Sequence, residues 1–194
     1  MDKFSYAIGL GIGQNLWCMG ARNIQVEDFA QAIKDVLEGN KTAITHDEAR
    51  EIVNKFFTEL EEKVNSENIE KGKAFLEENK KKENIVTLPS GLQYEVIKEG
   101  NGKKPKATDR VRCHYEGTLI DGTLFDSSIK RGEPAVFGVN QVIQGWVEAL
   151  QLMSEGSKWK LYIPSELGYG AHGAGEMIPP HSTLIFEVGL LEVL

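Results

Sequence analysis

The sequence predicts an α+β protein in two parts, an all-α arm followed by an antiparallel β half-barrel wrapped over one short helix. Three observations lead there. Before about residue 84, apolar residues recur at helical spacing and proline is absent. Beyond it lie all six prolines and a period-two alternation of apolar and polar residues, the pattern of half-buried strands. A segment rich in Glu and Lys separates the two. The expected domains are a helical, dimerising domain over 1–65, a linker helix over 66–84 and a sheet domain over 85–194.

In the arm, Tyr6, Ile8, Leu10, Ile12, Leu16 and Trp17 belong to a short helix weakened by its glycines. Phe29, Ile33, Val36 and Leu37 form one face of a second helix, stopped at Gly39-Asn40. Thr45-His46-Asp47-Glu48 reads as a capping box, with the Thr45 hydroxyl accepting from the Glu48 N–H while the Glu48 carboxylate reaches back. It opens a third helix carrying Ile52, Val53, Phe56, Phe57, Leu60 and Val64 on one side. Three short helices cannot bury that much apolar surface alone, so association of two copies through the arm is expected, the alternative being that these faces dock on the sheet domain.

In the linker the apolar stripe thins to Ile69, Phe75 and Leu76, while Glu67/Lys71 and Glu77/Lys81 fall at i,i+4 spacing. A helix polar nearly all round is expected to stand in solvent as a strut, with Gly72 as its weak point. In the last part Leu92, Tyr94 and Val96 alternate with Gln93 and Glu95, and Val111, Cys113 and Tyr115 alternate with Arg112 and His114. Asp121-Gly122 marks a hairpin. Val147 to Met153 gives the one helix, Trp159, Leu161 and Ile163 a return strand, and Thr183 to Leu194 the last strand.

Composition excludes several functions. With 41% hydrophobic and 26% charged residues the chain is an ordinary globular one. Its net charge of -7, with Lys80-Lys81-Lys82 as the one basic run, argues against nucleic acid or an anionic membrane as partner. No apolar run is long enough to cross a bilayer. Cys18 and Cys113 stand far apart without CxxC spacing, which fits a reducing compartment. The opening Met1-Asp2-Lys3-Phe4 lacks the basic and cleavable parts of a signal peptide. A cytoplasmic location is expected, or a periplasmic one if a leader was removed. The four histidines show no metal-ligand spacing, no phosphate- or dinucleotide-binding fingerprint follows a strand into a helix, and no metal or cofactor is expected.

What stands out instead is a set of aromatic and aliphatic residues in turns and at strand ends. They occur in Val111-Arg112-Cys113-His114-Tyr115-Glu116-Gly117, Gly122-Thr123-Leu124-Phe125-Asp126-Ser127-Ser128, Gln141-Val142-Ile143-Gln144-Gly145-Trp146, Leu167-Gly168-Tyr169-Gly170 and Ile178-Pro179-Pro180-His181-Ser182-Thr183-Leu184-Ile185-Phe186. In this order the stretches resemble the signature of the FKBP-type peptidyl-prolyl cis/trans isomerases. The front half, notably Ser5-Tyr6-Ala7-Ile8-Gly9, resembles the helical arm of the macrophage infectivity potentiator-like subgroup.

That resemblance implies a pocket lined by Tyr115, Phe125, Asp126, Phe137, Val142, Ile143, Trp146, Tyr169, Ile178 and Phe186. It makes Trp146 the floor under a substrate proline, the Ile143 N–H and Tyr169 hydroxyl donors to bound carbonyls, and Asp126 a polar wall. It further implies proline-containing, unfolded or partly folded clients, chaperone activity, macrolide inhibitors of the rapamycin or tacrolimus type, and a homodimer. Two departures bear on inhibitor affinity and sequence preference: Ala135, where many members have an aromatic, and Ala174, where some have histidine. The competing readings are a module that binds proline peptides without turnover, and an arm that serves as adaptor for another protein.

Overall fold

The computed structural model describes all 194 residues, which contacts divide into Met1–Lys63 and Val64–Leu194. The first unit holds α1 (Lys3–Cys18), α2 (Val26–Glu38) and the opening turns of α3 (His46–Asn79). Asp2 caps α1 by accepting from the Ser5 N–H at 2.7 Å. The glycines of α1 do not break it; a Cβ at Gly9, Gly11 or Gly13 would meet nothing within 4 Å, so they face open surface. Gly39, in the left-handed region at φ 70, ends α2. The capping box forms: the Glu48 N–H donates to the Thr45 hydroxyl at 3.2 Å, and the Thr45 N–H donates to the Glu48 carboxylate at 2.8 Å. No residue of α1 or α2 is buried, and Ala21 alone is buried in this unit. Phe4, Leu10, Trp17, Leu37 and Phe56 are exposed.

The second unit is a seven-stranded sheet: β1 (Val86–Thr87), β2 (Gln93–Lys98), β3 (Arg110–Leu119), β4 (Leu124–Ser127), β5 (Ala135–Gly138), β6 (Lys158–Ile163) and β7 (Leu184–Val193). Its order is β1-β2-β6-β7-β3-β4, with β5 on β3, and every pairing is antiparallel. The helical turn α4 (Ser128–Arg131) follows β4, and α5 (Gln144–Leu152) packs on the sheet. A Cβ on Gly145 would lie 2.6 Å from Ile163, so glycine is what lets the start of α5 approach β6. Leu92, Val111, Ala149, Leu150, Leu161 and Leu184 form the dry centre, each large side chain contributing about 1.5–3 kcal/mol. Cys113 is buried among them opposite Ala135, and burial pushes its thiol up to about 12.

Four expectations need correcting. The end of α3 does not stand in solvent. Asn79 is 1% exposed and donates to the Gln93 side chain at 2.9 Å, and Gln93 in turn donates to the Leu76 carbonyl at 2.9 Å. Phe75 meets Tyr162, with ring centroids 6.0 Å apart. Gln93, assigned to a solvent face by alternation, is thus buried under the helix. Gly72 is no weak point either; α3 runs through it, and a Cβ there would lie 2.4 Å from the Thr183 hydroxyl. Because α3 ends at Asn79, Lys81 pairs with Glu78 and Lys80 with Glu77, in place of the anticipated Glu77/Lys81 pair, while Lys71–Glu67 forms at 3.2 Å.

Candidate functional site

A cleft of about 660 Å³ opens in the second unit, and all ten residues named from the sequence line it. Their placement follows from the sheet. Tyr115 comes from β3, Phe125 and Asp126 from β4, Phe137 from β5 and Phe186 from β7. Val142 and Ile143 join the turn Val139–Gln141 to α5, and Trp146 lies in the first turn of that helix. Ile143 is the N-cap residue of α5, so its N–H lies outside the helix's own ladder. Tyr169 stands between two 3-10 turns, and Ile178 closes a small loop.

Trp146 is 4% exposed and forms the floor. The rings of Tyr115, Phe137 and Phe186 meet it edge to face at centroid distances of 5.3, 5.3 and 5.2 Å. Such pairs contribute about 0.5–1.5 kcal/mol beyond burial. Phe125 stands edge-on to Phe186 at 5.4 Å. Behind them Gly117 leaves the room both rings occupy, since a Cβ there would lie 2.6 Å from Phe125 and 2.7 Å from Phe186.

One wall is polar. The Tyr115 hydroxyl donates to Asp126 at 2.5 Å and accepts from Arg131 at 2.8 Å. Arg131 also pairs with the other Asp126 oxygen. It reaches both from α4, which is capped by the Ser127 hydroxyl and ended by Gly132 at φ 77. Burial alone would raise the Asp126 carboxyl, but hydrogen bonds from Tyr115 and Arg131, with the Arg131 charge, outweigh it and hold it below the usual range. Burial, then the bond to Asp126, pushes the Tyr115 hydroxyl up. Burial and the nearby Asp126 charge push up that of Tyr169.

These directions predict a flat pH profile. Asp126, depressed, is ionised until pH falls through its folded value; both tyrosines, raised, keep their protons well above neutrality. Turnover of an uncharged substrate should stay constant from about pH 5 to 9, where neither reference range is crossed. It should decline below about pH 4 as protonation removes the Asp126 clamp. A bell centred near neutrality, measured as kcat/KM against pH, would contradict these directions for Asp126 and the two tyrosines.

The cleft also contains residues that the sequence did not single out as site residues: Gln141, Gly175, Glu176 and Met177. Of the two departures, Ala174 lines the cleft, whereas Ala135 pairs with Cys113 on β5 and does not. Arg131 is a further residue of this wall beyond the ten; a positive charge five positions after Asp126 is the signal the sequence carries for it.

Comparison with known proteins places these features in context. Residues 101–191 match the family described as FKBP-type peptidyl-prolyl cis-trans isomerase, and residues 1–96 match the domain amino terminal to it. The chain is 50% identical over 197 residues to the FKBP-type 22 kDa peptidyl-prolyl cis-trans isomerase of Escherichia coli, covering 98% of this chain and 94% of that one. It is 44% identical to the outer membrane protein MIP of Legionella longbeachae, over 99% of this chain and 85% of the relative. The crystal structure of FkpA from Escherichia coli superposes with a TM-score of 0.82 at 35% identity, covering 98% of this chain and 95% of the other.

Proposed function

Because the chain belongs to the FKBP-type peptidyl-prolyl cis-trans isomerases and is an enzyme of that kind, we propose that its cleft seats a prolyl ring on Trp146 and eases rotation about the preceding bond. The reading is supported above all by the convergence of side chains from five separate stretches on one indole-floored cleft. Amide resonance sets a barrier of about 18–20 kcal/mol, and uncatalysed X-Pro rotation takes roughly tens to hundreds of seconds. At the half-turned geometry the amide loses charge separation. An apolar floor and walls therefore favour the transition state over the polar planar ground state. The Ile143 N–H and the Tyr169 hydroxyl hold the flanking carbonyls in a bent path. Lowering the barrier by about 7 kcal/mol accelerates rotation roughly 10⁵-fold.

Asp126, clamped by Tyr115 and Arg131, gives that path its polar side. Asp126→Leu is expected to reduce kcat/KM on a short Xaa-Pro peptide by about tenfold, or some 1.4 kcal/mol of barrier. The partly exposed position makes loss of fold an unsuitable explanation, which circular dichroism would check. Full activity in a folded variant would remove Asp126 from the site.

The proposal extends to clients and assembly. Exposed apolar residues on α1, α2 and the start of α3 support a homodimer joined through the arm, with Gly9 and Gly13 leaving room for a second backbone. Paired clefts then serve unfolded or partly folded chains and add chaperone holding to catalysis. The apolar cleft also suits macrolides of the rapamycin type. Two unpaired cysteines support a reducing, cytoplasmic setting.

A further inference from the structure

The loop at the mouth of the cleft is a small hairpin closed by one bridge. Ala174 and Ile178 exchange backbone hydrogen bonds at 2.9 and 3.1 Å, leaving Gly175, Glu176 and Met177 as its tip. Glycine is required at its base: Gly173 sits at φ 62, where a Cβ would lie 2.2 Å from the Ile178 carbonyl oxygen. Gly175 follows at φ 54. The tip is thus held by backbone geometry, and it carries two exposed side chains of different character against the cleft.

Glu176 lines the cleft and takes part in no ion pair or side-chain hydrogen bond. The other carboxylate of the lining, Asp126, is neutralised by Arg131. No lysine, arginine or histidine lines the cleft, and its two tyrosines are held protonated. The one uncompensated charge at the mouth is therefore negative. Beside it Met177, 49% exposed, offers a flexible thioether. A lysine or arginine side chain fits both, laying its methylenes on the sulfur and its charge by the carboxylate.

We infer that Glu176 and Met177 make the enzyme prefer prolyl bonds flanked by a lysine or arginine over those flanked by an acidic residue. This rests on the isomerase reading of the cleft. Half-exposed ion pairs are weak, so the expected bias is modest, about fivefold for lysine over glutamate.

The test uses the full chain and protease-free exchange spectroscopy on Xaa-Pro peptides with lysine, leucine or glutamate next to the proline, in one series before it and in another after it. Each rate is divided by the same protein's rate on the leucine peptide. A lysine-to-glutamate ratio of about five in at least one series at about 20 mM salt, falling below about two at 0.5 M, is expected because the Debye length shrinks. Glu176→Gln should bring the ratio near unity, and Glu176→Lys should invert it. Since the whole chain carries a net charge of -7, a ratio that survives Glu176→Gln would assign the bias to the global field and overturn the inference. So would equal rates in both series. Failure to accelerate even the leucine peptide would overturn the isomerase reading itself, and the inference with it.

Discussion

Trp146→Ala is expected to lower kcat/KM on a Xaa-Pro peptide by about tenfold or more and to destabilise the fold by about 3–5 kcal/mol. Both effects have one origin. The indole is 4% exposed, joins the central apolar cluster below and forms the cleft floor above. Its removal opens a cavity between α5 and the sheet and takes the edge-to-face partner from Tyr115, Phe137 and Phe186 at once. Those rings then relax into the space, so the walls are lost with the floor. Trp146→Phe separates the two effects, because it keeps an apolar plane and refills most of the volume. Denaturant unfolding should show most of the stability regained, while kcat/KM stays below that of the native chain. Native activity in a folded alanine variant would mean that the proline ring rests elsewhere.

The second large effect concerns where the chain can be cut. A chain beginning at residue 64 is expected to keep its melting temperature and peptide activity, and to sediment as a monomer. One beginning at residue 85 is expected to lose about 2–4 kcal/mol, because Phe75 and Leu76 no longer cover the sheet and two side-chain hydrogen bonds disappear. The bonds are those between Asn79 and Gln93 and between Gln93 and the Leu76 carbonyl, and the exposed ring is that of Tyr162. Differential scanning calorimetry and sedimentation velocity on both chains decide the matter. Equal stability would restore residues 66–84 to the role of a solvent strut. A dimer that persists without residues 1–63 would move the proposed interface off the arm.

Much of this was legible in the sequence, for identifiable reasons. The capping box at Thr45 and Glu48, the glycine end of α2, and the alternation of Val111, Cys113 and Tyr115 are local signals, and the structure has them where expected. The cleft residues were legible because the ordered stretches that carry most of them resemble a known signature; their own positions, with Tyr115, Phe125, Phe137 and Phe186 on strands and Trp146 in the core, look like ordinary core residues. The docking of α3 was not legible, because its apolar part is only a short stripe around Phe75 and the rest of the contact is polar. Asn79 and Gln93 satisfy each other, and no apolar periodicity records such a pair. Gly72 was misread on the same account, since a glycine beside a close neighbour looks in sequence like one that weakens a helix. Glu176 and Met177 were missed because their position depends on the positive φ of Gly173 and Gly175, which brings the tip back to the cleft.

The close approach at Gly72 has a reach beyond the helix. Asn68, one turn earlier, donates to the Pro180 carbonyl at 2.9 Å, and Gly72 lies against Thr183. Both partners belong to the stretch that leaves the mouth hairpin at Ile178 and enters β7 at Leu184. The rim of the cleft is consequently braced from behind by residues more than a hundred positions upstream. Change at either end constrains what the other tolerates, so helix and hairpin must drift as a matched set.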